Sequence, residues 1–229
     1  MTLTGAAEPR DLCDGDVIPR ESPTPTIAHG ASRHAEFHGW LVADMLRASA
    51  AAIQACDALT DEIALVANRL ADAFESGNKL LVCGNGGSAS DAQHFAGELL
   101  GRFLCSASAR APRPAIALTA DSTVLTCIGN DYGYDDVFAR QVLALGQPGD
   151  VLVGISTSGS SRNVLRAFEA AKPGVLKVAL CGPGGPLADC ADIALKVPFD
   201  GTAAIQAAHI AIIHAICMVL EERFSSTDG

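Results

Sequence analysis

Five short apolar runs, KLLVCG (79–84), PAIALT (114–119), DVLVGIS (150–156), LKVALCG (176–182) and DIALKVP (192–198), alternate with stretches of helical periodicity. Runs of this length and composition read as strands buried on both faces, and such strands need helices to cover them. The expected fold is α/β: a doubly wound, five-stranded parallel sheet flanked by helices, with ligands at the carboxyl ends of the strands. The 229 residues, 49% of them hydrophobic, suffice for one substantial core, so one domain is expected.

Ahead of the first strand, two helical patterns run from Glu36 to Ala55 and from Leu59 to Phe74 and suggest an N-terminal helical hairpin. Residues 1–32 are rich in Pro, Thr, Asp and Gly and lack periodicity, which predicts a flexible tail; the domain proper is then 33–229. His34 and His38 have metal-ligand spacing, but they open a helix beside that tail and are read as non-ligating. A formal charge of −10 and a pI near 4.9 argue against a general binder of nucleic acid or anionic membrane, which would present clustered Lys and Arg. The eight cysteines are scattered, mostly in apolar runs, and never form CxxC, as expected of buried free thiols in a reducing cytoplasm. No basic and apolar leader opens the chain, and no uninterrupted apolar run reaches the roughly 18 residues of a membrane span, so a soluble cytoplasmic protein is expected.

Two loops carry the chemistry. After KLLVCG comes Asn85-Gly86-Gly87-Ser88 and then a helix bearing His94 and Glu98, four residues apart and thus on one face. A strand running through glycines into a helix offers free backbone N–H groups to an anion. After DVLVGI come Ser156, Thr157, Ser158, Gly159, Ser160 and Ser161, short hydroxyls at a strand end followed by a helix N-terminus: they read as a phosphate cradle without lysine, with a Ser/Thr-rich helix cap as the plainer alternative. In the last helix, Gln206, Ile210, Ile213 and Cys217 form one stripe, with His209 and His214 on opposite flanks; spacing alone does not choose between the two histidines.

The segments CGNGGSASDAQHFAGELLGRF, IGNDYGYDDVFARQV, GDVLVGISTSGSSRNV and IQAAHIAIIHAI together resemble the SIS-domain phosphoheptose isomerases, the sedoheptulose 7-phosphate isomerases. The resemblance covers roughly Ala35 to Phe224. It implies a SIS-type sheet, a homotetramer with active sites between subunits, and a sugar phosphate substrate. By its motifs, Ser156, Thr157, Ser158 and Ser161 match phosphate-binding residues, and Asn85, Gly86, Gly87, Asn130, Asp131 and Gln206 match substrate contacts. Glu98 and His214 match the acid–base pair, and His94, Glu98, Gln206 and His214 match the ligands of one zinc ion (Zn2+) per subunit. The implied reaction converts sedoheptulose 7-phosphate to glycero-manno-heptose 7-phosphate through an enediol, for heptose biosynthesis. A carboxylate and an imidazole suit its two proton transfers.

One position departs from the family: Ala203 stands where an aspartate is common, three residues before the glutamine, with Asp200 as a nearby substitute. Asp131 also admits a plainer role, capping a turn in GNDYG. Two other classes share this fold: isomerases of other sugar phosphates, and non-catalytic SIS adaptors that associate with a replication initiator. The adaptors commonly lack the histidine matching His214, which this chain has.

Overall fold

The computed structural model describes residues 33–104 and 111–225. The tail expected over 1–32 lies outside these residues, as do Cys13 and Cys105. The chain divides into a short unit ending at Trp40 and a body, Leu41–Gly229. The elements are α1 (Arg33–Ala55), α2 (Thr60–Glu75), β1 (Leu80–Gly84), α3 (Gly87–Leu100), β2 (Ala115–Ala117), α4 (Ser122–Tyr132), α5 (Ala139–Leu145), β3 (Val151–Ser156), α6 (Arg162–Ala170), β4 (Leu176–Cys181), α7 (Pro186–Asp189), β5 (Ile193–Lys196) and α8 (Thr202–Ser225). Two 3-10 turns, Cys56–Leu59 and Tyr134–Asp136, precede α2 and α5.

The five apolar runs all form strands. They pair in parallel in the order β2-β1-β3-β4-β5. Because side chains alternate along a strand, each run feeds two cores. Leu80, Val82, Val151, Val153 and Ile155 face one side, with Phe95 and Leu99 of α3, Val66 and Leu70 of α2, and Ile212, Ile213 and Ile216 of α8. Leu81, Cys83, Leu152 and Ala179 face the other, with Val137, Phe138 and Val142 around α5 and Val164 and Phe168 of α6. Burying one such leucine or phenylalanine contributes about 1.5–3 kcal/mol, so these two layers supply most of the drive to fold.

Asp150, 1% exposed, ties the foot of the sheet together. Its carboxylate accepts from the Lys79 main chain (3.0 Å), the Lys79 ammonium (2.7 Å) and the Gln147 main chain (2.8 Å). A buried carboxylate with three donors is compensated for its lost hydration, and here it fixes the starts of β1 and β3 side by side.

Both expected N-terminal helices form, but α1 joins the core only near its end, at Ala48 and Ala52. Earlier in α1, Leu41, Val42, Met45 and Leu46 are exposed. Helix α8 is long and apolar enough to cross a membrane, with a mean hydropathy of 2.0 over its most apolar window, yet half of that window is buried in the protein. The six cysteines among the described residues are free. Burial pushes the Cys83 thiol up to about 12 and the Cys181 thiol to about 11, with Lys196 opposing the latter, so neither is a ready nucleophile.

The strand order places the site. The chain leaves β1 toward β2 on one side and returns to β3 on the other, so the order reverses between β1 and β3, where open α/β sheets bind ligands. Gly84 is in register with Ile155, so the loops after the two strands emerge as neighbours.

Candidate active site

The loop after β3 is built as a hydroxyl cluster. Ser156, buried at the strand end, has its Oγ 3.0 Å from that of Ser161 and 3.4 Å from that of Ser158, and Ser158 Oγ lies 2.9 Å from Ser160 Oγ. Gly159 makes the turn at φ +64°, where a side chain would be strained and would meet the Gly184 carbonyl. The Thr157 carbonyl accepts from the Gly182 N–H at 3.2 Å, which anchors the loop to the end of β4. The hydroxyls thus gather at the N-terminus of the nine-residue α6, where the helix dipole and free N–H groups favour an anion.

The loop after β1 is held from outside. Asn85 and Asn163 pair reciprocally, each Nδ2 donating to the other's Oδ1 at 2.8 Å, and the Tyr134 hydroxyl donates to Asn85 Oδ1 at 2.9 Å. Gly87, the first residue of α3, lies directly beneath the Gln206 side chain, and a Cβ there would fall on its carboxamide. Helices α3 and α8 pack side by side, with Gln206 over Gly87 and His214 beside His94, so they run in the same direction.

That arrangement brings His214, and not His209, beside His94 and Glu98. His214 Nε2 lies 2.8 Å from His94 Nε2, and His94 Nε2 lies 3.4 Å from Glu98 Oε1. Among the described residues these three side chains form one group whose ligand atoms all lie within 4.8 Å of one another. Two imidazole nitrogens facing each other beside a carboxylate oxygen are a donor set that fits zinc, which takes nitrogen and oxygen ligands. The Gln206 carboxamide lies at Gly87, two turns of α3 before His94. The ring of Phe103 lies 5.7 Å from that of His214.

Other expected residues fall differently. Asn130 and Asp131 are exposed in the last turn of α4, where Asn130 Nδ2 donates to Asp131 Oδ1 at 2.7 Å and the Cys127 thiol lies 3.8 Å from Asp131 Oδ2. Asp131 is helical, so the turn-cap role does not hold. Asp200 and Ala203 are both exposed around the start of α8. Asp91, one turn before His94, is buried with Oδ2 unpartnered; burial raises its carboxyl to about 6 against the opposing pull of His94. Asn163 and Tyr134 were not singled out by motif, although Asn163 interrupts the otherwise apolar buried face of α6 formed with Val164, Ala167 and Phe168.

His209 is fully buried, and neither ring nitrogen has a hydrogen-bond partner. Burial lowers its pKa to about 4, with the Cys181 main chain only weakly opposing. An unfolded His209 protonates near 6.5, so the native state is penalised as pH falls from 6.5 to 4, by about 3 kcal/mol in full. The stability of wild type minus that of His209→Gln, from urea unfolding, is therefore expected to rise by about that amount between pH 4 and pH 6.5. Parallel stability–pH curves would show that His209 is not buried neutral.

Residues 45–182 match the SIS domain family. The phosphoheptose isomerase of Geotalea daltonii is 52% identical over 167 residues, covering 72% of this chain and 85% of that protein. The chain belongs to the phosphoheptose isomerase family. The corresponding protein of Shewanella sediminis is 51% identical over 170 residues, with the same shares covered. Among solved structures, phosphoheptose isomerase GmhA from Neisseria gonorrhoeae superposes with a TM-score of 0.72 at 42% identity, and a phosphoheptose isomerase from Francisella tularensis with 0.74 at 39%. Each comparison covers 82% of this chain and 98% of the other. The SIS architecture and the five-stranded sheet read from the apolar runs are thus those of the family.

Proposed function

We propose that this chain is a cytoplasmic aldose–ketose isomerase that converts sedoheptulose 7-phosphate to glycero-manno-heptose 7-phosphate, for heptose biosynthesis. The observation that carries the reading is the convergence of His94, Glu98 and His214 from two helices. Isomerisation moves one proton between C1 and C2 and another between their oxygens. In this reading Glu98 takes the proton at carbon and His214 handles those at oxygen. Ser156, Thr157, Ser158 and Ser161 hold the phosphate, and Asn85, Gly86, Gly87, Asn130, Asp131 and Gln206 contact the sugar. His94, Glu98 and His214 hold one zinc ion per subunit; the Gln206 carboxamide, at Gly87 two turns of α3 before His94, is too far to join them within one chain and serves as a sugar contact. Zinc at that place supplies polarisation of the substrate carbonyl and charge stabilisation of the enediolate.

The protein works, in the same reading, as a homotetramer whose sites lie between subunits. Glu98 stands eleven residues beyond Gly87, three turns or about 16 Å along α3, so the acid–base cluster and the sugar loop of one chain are well separated. The exposed apolar side chains of α1 and the outward half of α8 offer surface for such an assembly.

Incubating the zinc-loaded protein with sedoheptulose 7-phosphate in D2O is expected to yield the aldose phosphate with deuterium at the exchanged carbon, read by NMR. Binding without any turnover would favour a non-catalytic SIS adaptor, and turnover only of a shorter ketose phosphate would move the substrate. Elemental analysis is expected to find about one zinc per chain, lost on chelation together with activity. Metal-free protein with undiminished activity would remove zinc from the reading and leave the acid–base pair in place.

A further inference from the structure

Asn85 is more tightly held than a side chain that merely borders a pocket. Its Oδ1 accepts two hydrogen bonds, from Asn163 Nδ2 at 2.8 Å and from the Tyr134 hydroxyl at 2.9 Å, which occupies both lone pairs. Its Nδ2 gives one hydrogen to Asn163 Oδ1 at 2.8 Å and keeps one. Reciprocal amide pairing locks the orientation of both groups, since neither amide can turn over alone without setting donor against donor. Asn163 is 3% exposed, so water cannot replace the partner it would lose.

Asn163 is also the second residue of α6, immediately after the hydroxyl cluster. Tyr134 belongs to a 3-10 turn that is itself strapped to α6: Asp135 pairs with Arg162 at 3.1 Å, and Asp136 accepts from Arg166 Nη2 at 2.9 Å and Nε at 3.1 Å. All three residues of that turn are therefore tied to α6 or, through Asn85, to Asn163.

We propose that Asn163 and Tyr134 are positioning residues that clamp Asn85 as a donor-only contact at a fixed distance from the phosphate cradle. The inference rests on the proposed reading of Asn85 and the serines as substrate contacts. The remaining Asn85 N–H recognises a sugar hydroxyl away from C1 and C2, and the rigid link to α6 sets how far from the phosphate that oxygen must lie.

Steady-state kinetics with sedoheptulose 7-phosphate, with inorganic phosphate as a competing inhibitor, test this. Tyr134→Phe removes one hydrogen bond to Asn85 and is expected to raise KM about fivefold; Asn163→Ala removes the reciprocal pair and is expected to raise it about tenfold or more. The kcat should stay within about threefold, because a contact remote from the reacting carbons is held alike in ground and transition states. The inhibition constant of phosphate should stay within about twofold, since the cradle is untouched. Asn163→Asp keeps the acceptor for Asn85 and loses the donor, so it should fall between wild type and Asn163→Ala.

Unchanged KM in Tyr134→Phe, which alters an exposed side chain and leaves the fold intact, together with unchanged KM in Asn163→Asp, would overturn the clamp. So would a parallel loss of phosphate affinity, which would mean damage to the cradle. Should wild type bind the sugar phosphate without turning it over, the isomerase reading falls and the same pattern is expected in dissociation constants by calorimetry. Should it bind none, both readings fall.

Discussion

Glu98→Gln is expected to lower turnover about 10²- to 10⁴-fold, the usual cost of losing a positioned general base. Glutamine keeps the size and hydrogen-bonding reach of Glu98 but accepts no proton from carbon. His214→Gln should do comparable harm, because the two side chains reach the same group from separate helices. Acid and base act as a unit, so the double variant should be little worse than either single one. His209→Gln should leave turnover near normal, since that ring is sealed in the core. Near-normal turnover in a folded Glu98→Gln protein would remove Glu98 from the chemistry.

Gly87→Ala is expected to lower kcat/KM about 100-fold while leaving the fold intact. The added methyl would occupy the place of the Gln206 carboxamide, whose three terminal atoms are its nearest neighbours. Gln206 must then move by about an ångström or more, and misplacement on that scale costs on the order of 10² in rate. The backbone at Gly87 is helical and accepts alanine, so thermal unfolding should hardly change. If Gln206 is the group displaced, Gly87→Ala/Gln206→Ala should behave like Gln206→Ala alone. Full activity in folded Gly87→Ala would exclude Gln206 from the site.

The strands were legible because a parallel sheet needs uninterrupted apolar runs, here bounded by Gly, Pro and Asp. The hydroxyl cluster was legible for a similar reason: four serines and a threonine fall within six residues at a strand end. The choice between His209 and His214 was not legible from spacing, since they flank the α8 stripe symmetrically. Only the packing of α8 against α3 puts one beside His94 and the other in the core. Asn163 escaped notice because its partner is 78 residues away, a relation that no local pattern carries. Helix α1 was legible as a helix, but not the exposure of Leu41, Val42, Met45 and Leu46, since periodicity marks an apolar face without naming what covers it.

The two imidazoles that meet at 2.8 Å come from positions 120 residues apart, the second on the last helix of the chain. The serine loop and the Asn85 clamp draw on β1, β3, β4, α6 and the turn at Tyr134, all of which precede α8 in the chain. The group of His94, Glu98 and His214 is therefore complete only when the final helix has docked. Local opening that undocks α8 removes Gln206 and His214 together, and leaves only the His94–Glu98 pair of α3 in place.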